Sequence, residues 1–343
     1  MRPAQVLIAA AFALAVAVSV SGQPKTDVVT LANGDRLTGE VKLLDRGRLE
    51  FSTDDAGTLY LEWDKLTSVV AGMRVVEVVT EDGRRYLGRL VPAVPRSLAV
   101  GGSEGVVVLS MTEVTIIRPI GASFWAKLDG SFDAGFNYTQ SSGIAQLNVN
   151  SDTLYRKFGS QVRLTASLTA TATDDDDGRD DRALLELSYL RYPWREWFVA
   201  GAGRIESNES LGVQLRSQIG VMTGPRLINS NRGHLSIGAG VVLNDEVGVD
   251  VERVQNVEGV FVFDAEFFTY DRPRTTLDVN VQYYPSLSNA GRHRLSLNAG
   301  AKRELFKDLF VAVNVYNSYD NRPPNPAAER NDIGVVLSVG WTY

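Results

Sequence analysis

The chain of 343 residues contains no cysteine and only two histidines, His234 and His293. The absence of cysteine excludes a disulfide framework, a thiolate nucleophile and a zinc site with cysteine ligands. Two histidines are too few for a multi-histidine metal centre. We therefore expect neither a metal nor a cofactor.

The sequence also lacks an excess of positive charge. It has 35 Lys and Arg residues against 41 Asp and Glu residues, which gives a formal net charge of -6 at pH 7. A general nucleic-acid binder shows a basic surface, so nucleic acid is not an expected partner.

A third absence is that of an apolar run long enough for a transmembrane helix, which needs roughly 20 residues. The longest apolar run, at 6–18, follows Met1 and Arg2 and leads through small residues to Gly22. A basic start, an apolar stretch of about 7–15 residues and a small-residue site describe a secretory signal. We predict this signal at residues 1–22. A membrane role for the remaining chain would require a closed β-barrel, the other structure that satisfies its backbone groups in hydrocarbon.

Period-two alternation runs through the chain from residue 124 to residue 343. In 332–343, Ile333, Val335, Leu337, Val339, Trp341 and Tyr343 share one face. Strands of about ten residues with aromatic residues at their ends are typical of transmembrane barrels. A soluble sandwich also alternates, with its apolar face turned inward, so alternation alone leaves both folds open.

Twelve strands are predicted in this region, at 124–138, 145–157, 161–173, 182–193, 197–205, 212–228, 234–243, 257–270, 275–284, 293–303, 309–318 and 333–343. Short connections alternate with longer ones, such as 244–256, and this asymmetry is typical of outer-membrane barrels. The predicted fold is therefore all-β, with a transmembrane antiparallel barrel of about twelve strands at 124–343. Ten or fourteen strands are the alternatives.

An internal duplication precedes the barrel. Val28–Gly39 aligns with Glu77–Gly88, Trp63 with Met111, and Leu66 with Val114. Each copy resembles, coarsely, an Sm-like or SH3-like small barrel. We predict a periplasmic tandem β module at 23–118 and a linker at 119–123.

Two dipeptides, Asn33-Gly34 and Asp82-Gly83, occupy equivalent places in the two copies. Such pairs favour type I′ hairpin turns, in which both central residues have positive φ. We therefore predict a type I′ hairpin in each copy.

Short motifs at both ends of the barrel region point to a family. They are Gly130–Asn137 in the first strand, Tyr319–Pro324, and Arg330–Gly334 before the closing strand. With these motifs the region 124–343 resembles the YdiY-like "salt-induced outer membrane protein" family, a domain of unknown function. The resemblance implies an outer-membrane location and no known reaction.

Charged residues on the polar face of the predicted strands are the candidate lumen-facing residues. A charge on the lipid side would cost roughly 2–4 kcal/mol at mid-depth, so this face is expected to point inward. It either lines a polar conduit or forms a salt-bridged plug. The candidates are Lys127, Asp129, Asp133, Arg163, Glu186, Arg204, Arg216, Asp264, Glu266, Asp278, Arg294 and Lys302.

The acidic run 174–181 is a weaker candidate, for calcium. Its spacing does not match the alternating acids of an EF-hand loop. We predict instead a solvated hairpin tip, or a tip bridged by divalent ions to anionic lipid headgroups.

A catalytic alternative would use His293 as the base beside Ser286, Ser288 or Ser296. The sequence contains no Gly-x-Ser-x-Gly motif. We therefore predict a loop histidine, no catalytic residue and no enzyme.

The expected protein is an integral outer-membrane β-barrel of a Gram-negative cell envelope, acting as a narrow, porin-like pore or as a stress-related structural protein. Its expected partners are outer-membrane lipid and, through 23–118, a periplasmic protein or a cell-wall component. The oligomeric state stays open. The alternatives are an outer-membrane lipid hydrolase and a soluble secreted β-protein that acts as a binding module.

Overall fold

The computed structural model of the chain describes residues 25–121, 123–139, 144–172, 179–208, 213–248, 251–306, 309–322 and 330–341. These residues form 21 β-strands and three short 3₁₀ turns, which confirms the all-β class. No helix in these ranges has the length and apolarity to cross a membrane. The predicted signal at 1–22 lies outside the described residues.

The first nine strands build a small module around a closed ring. Strand β1 pairs with β2, β2 with β9, β9 with β5, and β5 with β1. Strands β3 and β4 extend from β2, and β6, β7 and β8 extend from β5. The strands are β1 (Asp27–Leu31), β2 (Arg36–Asp45), β3 (Arg48–Ser52), β4 (Thr58–Glu62), β5 (Leu66–Thr80), β6 (Arg85–Val91), β7 (Ser97–Gly102), β8 (Gly105–Ser110) and β9 (Val114–Pro119).

The module is duplicated, as the sequence predicts. The 3₁₀ turns Trp63–Lys65 and Met111–Glu113 stand in equivalent places, each directly before a strand that begins at a fully buried residue, Leu66 or Val114. The Trp63 indole Nε1 donates to the Met111 carbonyl oxygen over 2.6 Å and joins the two copies. The principal hydrophobic cluster of buried residues lies within this module.

The turn type predicted for the two equivalent hairpins is wrong. Gly34 and Gly83 have φ of 93° and 77°, but neither Asn33 nor Asp82 has positive φ. The Gly34 amide donates to the Leu31 carbonyl over 3.0 Å, and the Gly83 amide makes the same bond within its own hairpin. Each hairpin thus has a three-residue loop in which only the glycine is left-handed.

The remaining twelve strands form one antiparallel sheet, in which each strand pairs with its neighbour in sequence. This confirms the predicted strand number. The strands are β10 (Leu128–Thr139), β11 (Ile144–Lys157), β12 (Ser160–Ala172), β13 (Arg179–Arg191), β14 (Trp197–Asn208), β15 (Val213–Ser230), β16 (Gly233–Gly248), β17 (Val251–Thr269), β18 (Thr275–Pro285), β19 (His293–Phe306), β20 (Leu309–Asp320) and β21 (Asn331–Trp341).

The predicted bounds differ from the structure most clearly in two places. Residues Trp125–Lys127 form a 3₁₀ turn, so the first strand begins at Leu128 and not at 124. The predicted long connection at 244–256 is mostly strand, because β16 continues to Gly248 and β17 starts at Val251. Its polar residues suggested a loop, but Arg253 and Asp245 form an ion pair across this hairpin and stabilise the extended ladder.

The sheet is barrel-like, and one of its two faces is polar; this is the face that the sequence predicts to be the inner one. On that face the Arg294 side chain of β19 reaches Glu258 of β17 across the intervening strand β18. The described strand pairs do not include one between β10 and β21, the first and last strands of the sheet.

Candidate functional site

The ladder registers place eleven of the predicted lumen-facing residues on one face of the sheet. Directly opposed residues of neighbouring strands point to the same side, and Glu186 opposes Arg204 while Glu266 opposes Asp278. The eleven are Asp129, Asp133, Arg163, Glu186, Arg204, Arg216, Asp264, Glu266, Asp278, Arg294 and Lys302. The twelfth, Lys127, ends the 3₁₀ turn before β10. Its assignment to a strand is therefore wrong, because the alternation begins one residue later.

Polar side chains on this face join neighbouring strands. The Asn150 amide donates to Asp133 over 2.9 Å and accepts from the Ser167 hydroxyl over 2.8 Å, which links β10, β11 and β12. Arg156 forms an ion pair with Asp129 at 3.0 Å. These bonds replace the apolar contacts that hold a soluble sandwich together.

A charge network lies toward the long-loop end of the same face. Glu206 lies 3.1 Å from Arg204 and 3.7 Å from Arg216, and Arg216 lies 3.0 Å from Glu246. Glu206 therefore neutralises two guanidinium groups, those of Arg204 and Arg216, and Glu246 shares the Arg216 guanidinium with it.

Glu258, which the sequence analysis did not single out, is the most buried acid of this face, with 1% of its surface exposed. It accepts hydrogen bonds from Arg294 and, over 2.8 Å, from the Asn256 amide. Nearby, Arg292 in the β18–β19 loop pairs with Asp320 at 2.7 Å, and this bond raises the pKa of Arg292. The alternation that identified Asp264 and Glu266 also places Glu258 on the polar face, so the sequence carried the necessary signal.

The opposite face of the sheet is apolar and exposed. Ile219 exposes 59% of its surface and Leu337 exposes 74%. Large apolar side chains are exposed on this face on most of the strands. They include Phe132, Leu187, Ile205, Val221, Ile237, Leu243, Phe261, Leu277, Val313, Val335 and Val339.

The module packs against the short-turn end of the sheet. The Glu77 carboxylate accepts from the Gly159 amide over 2.9 Å in the β11–β12 turn. The Asn229 and Asn231 amides donate to Thr115 Oγ1 and to the Val114 carbonyl over 3.0 and 2.8 Å.

Charged contacts extend this interface to the polar inner face. Arg46 of the module pairs with Glu266 at 2.5 Å. Lys65 lies 3.5 Å from Asp271 in the β17–β18 turn, and the Asp64 and Asp271 carboxylates raise the pKa of Lys65. The module therefore covers part of the inner face at this end of the sheet.

A family model described as "Protein of unknown function, DUF481" matches residues 130–343. The chain belongs to the DUF481 family. The matched segment agrees with the expected resemblance of the barrel region to the YdiY-like family. Comparison with curated proteins finds no match.

Within the DUF481 region, His293 is the histidine that the catalytic alternative would use as the base. The His293 ring lies 6.2 and 5.9 Å from the rings of Tyr283 and Tyr319. Ser296 points to the other face of the sheet, while the Ser286 and Ser288 hydroxyls donate to the Asn256 side chain. Among the described residues, no hydrogen bond joins the His293 ring to any of these three serines.

His234 lies near the short-turn end of the DUF481 region, directly after the β15–β16 turn. Its Nδ1 atom is 4.0 Å from the Glu266 carboxylate, and its ring meets the edge of the buried Phe268 at 5.7 Å.

Most of the acidic run 174–181, namely 174–178, lies outside the described residues. Where the DUF481 region and the module are described, no group of three or more His, Asp or Glu is arranged to hold a metal ion.

Proposed function

We propose that the protein is an integral outer-membrane β-barrel protein of the cell envelope, with its module in the periplasm. The observation that carries the proposal is the exposed apolar face of the twelve-stranded sheet. Each buried Å² of apolar surface is worth about 25 cal/mol, and soluble monomers rarely expose contiguous apolar patches larger than a few hundred Å². Acyl chains would cover this face.

The strand lengths support the proposal. A transmembrane β-strand needs about 9–11 residues, and the shortest strands of the sheet, β18 and β21, each have 11. The polar inner face supports it as well, because charges such as Glu206 and Arg216 lie away from the side assigned to lipid.

The orientation follows from the position of the module. Outer-membrane barrels have short periplasmic turns and longer external loops. The module contacts the short turns at Gly159, Asn231 and Asp271. The long loops would then face outward.

We assign a structural role with a narrow, capped interior as the leading function. It is supported by the ion pairs across the inner face and by the module over its short-turn end. A narrow pore is the second candidate. It is favoured by inner-face charges that remain accessible, such as Asp129 and Arg163, whose side chains are about half exposed or more.

Fractionation tests the location. We expect the protein in the outer-membrane fraction, resistant to extraction by salt, and with a gel mobility that changes on heating. Release by mild salt without heat-modifiable mobility would favour the soluble binding protein.

Planar-bilayer recording tests the interior. After verified refolding, the capped barrel should give no steps or only small ones, whereas large stable steps would favour the pore. The hydrolase alternative predicts lipid hydrolysis that disappears in His293→Asn, and we expect no such activity.

A further inference from the structure

We infer that the junction between the module and the sheet holds a chloride-sized anion beside Tyr192. The inference is independent of the membrane location, because the residues that carry it lie where the module packs on the short turns.

Two arginines meet on the ring of Tyr192, which follows β13. The guanidinium carbon of Arg85, from the module, lies 4.3 Å from the ring centre, and that of Arg226, from β15, lies 4.6 Å away. The module and the sheet thus each bring one cation to the same aromatic side chain.

Both guanidinium groups carry buried donors without an acceptor. The Nε and Nη2 atoms of Arg85 and the Nε and Nη2 atoms of Arg226 have no hydrogen-bond partner. The Arg85 side chain is only 9% exposed. Buried donors are nearly always satisfied in folded proteins, and an aromatic ring is at most a weak acceptor. Of the two arginines, Arg85 lines a cavity beside Tyr192, so an acceptor from outside the chain is expected next to Arg85.

The surrounding charge favours an anion over water. The cavity beside Tyr192 is lined by four cationic side chains, Arg85, Arg118, Arg156 and Lys157, and by one acid, Glu77. The acid is already engaged, because it pairs with Arg85 Nη1 at 2.6 Å and accepts from the Gly159 amide. Arg156 also pairs with Asp129. The cavity therefore has an excess of positive charge, although the chain as a whole has a formal net charge of -6.

The size of the cavity limits the occupant. Its volume of about 10 Å³ is close to the smallest space that holds one water-sized particle. A chloride ion is somewhat larger than a water molecule, so the long cationic side chains of the lining would move slightly apart to admit it. A phosphate or a sulfate, which carries four oxygens around its central atom, needs much more space. Because Arg85 and Arg118 belong to the module while Arg156 and Lys157 belong to the sheet, the ion would bridge the two parts.

The test is the stability of the full, refolded chain in sodium chloride, sodium sulfate and sodium gluconate at equal ionic strength. Urea midpoints are measured by gel mobility for the wild type, Arg118→Gln and Lys157→Gln, two variants of the cavity lining, with Arg253→Gln as the matched control. Arg253 is an exposed arginine of the distant β16–β17 hairpin. General salt effects on folding act on all four proteins and cancel in the comparison.

We expect chloride at ten times its dissociation constant to raise the folded-to-unfolded ratio about tenfold in the wild type and in Arg253→Gln. The gain should be reduced or lost in Arg118→Gln and Lys157→Gln. An equal response to chloride in all four proteins would overturn the proposed anion site, because general screening of charges by salt would then explain the effect. Equal stabilisation by sulfate would overturn the assignment of a monatomic ion. If either variant fails to refold, the wild type is tested alone. Equal stability of the wild type in chloride and in gluconate would then overturn the inference.

Discussion

The glycine pair Gly34 and Gly83 offers a direct test of how the module docks on the sheet. The two residues occupy equivalent hairpins in the duplicated module, and both have positive φ. A Cβ atom on Gly34 would meet no heavy atom within 4 Å, whereas a Cβ atom on Gly83 would overlap the Arg195 carbonyl oxygen of the β13–β14 turn.

The expected costs in stability of Gly34→Ala and Gly83→Ala differ only by the contact between the Gly83 hairpin and the sheet. An L-residue in the left-handed region costs roughly 1–2 kcal/mol, and both Gly34→Ala and Gly83→Ala incur this cost. Gly83→Ala also forces the hairpin away from Arg195, and overpacking of this kind typically costs about 1–3 kcal/mol more. Docking of the module should therefore weaken by a factor of about 5 to 150 in Gly83→Ala alone.

The assay compares the two single variants with the wild type after refolding. Limited trypsin digestion reports the release of the module, and urea unfolding reports the total cost. We expect rapid cleavage within 25–121 in Gly83→Ala and nearly wild-type protection in Gly34→Ala. Equal costs and equal protection in the two variants would refute the docking described here.

Three further predictions concern single contacts. Burial raises the pKa of Asp27, so the folded module binds this proton more tightly than the unfolded chain; stability should fall as pH rises above about 3.8. Urea unfolding measured over a range of pH should show a smaller loss of stability in Asp27→Asn than in the wild type. The same pH dependence in both proteins would contradict this prediction. Glu258→Ala should cost about 3 kcal/mol in urea unfolding, because it leaves Arg294 without its partner. A double variant with Arg294→Ala should cost less than the sum of the two single variants, and additive costs would argue against the pair. Trp63→Phe should cost about 1 kcal/mol by removing the indole hydrogen bond to the Met111 carbonyl oxygen, which keeps its bond from the Val114 amide. An equal loss in the exposed control Trp194→Phe would exclude that cause.

The strand pattern of the sheet was readable from the sequence because one side of each strand is apolar. Alternation locates strands such as β12 and β19 to within a few residues, and it predicts which charges share a face. It fails where polar residues continue a ladder, as between Asn244 and Asn256, because the cross-strand pair of Asp245 and Arg253 has no apolar signature.

The docking of the module could not be predicted in the same way. Its contacts join residues far apart in sequence, such as Asn231 with Val114 and Arg46 with Glu266. Asparagines and arginines in short turns suggest only solvated loops, and nothing in the local pattern indicates that another part of the chain covers them. The buried arginines beside Tyr192 follow from that docking and were missed for the same reason.

The most direct test of the central claim is the environment of neighbouring residues on the two faces. Because the chain has no cysteine, Ile219→Cys and Gln218→Cys give single sites for a fluorophore in protein refolded into vesicles with brominated acyl chains. Ile219 lies on the exposed apolar face, and Gln218 opposes the polar Asn244 on the inner face. We predict strong quenching at position 219 and weak quenching at position 218. Weak quenching at 219, with the fluorophore shielded from both lipid and water, would show that the apolar face is covered by protein and would contradict the membrane barrel.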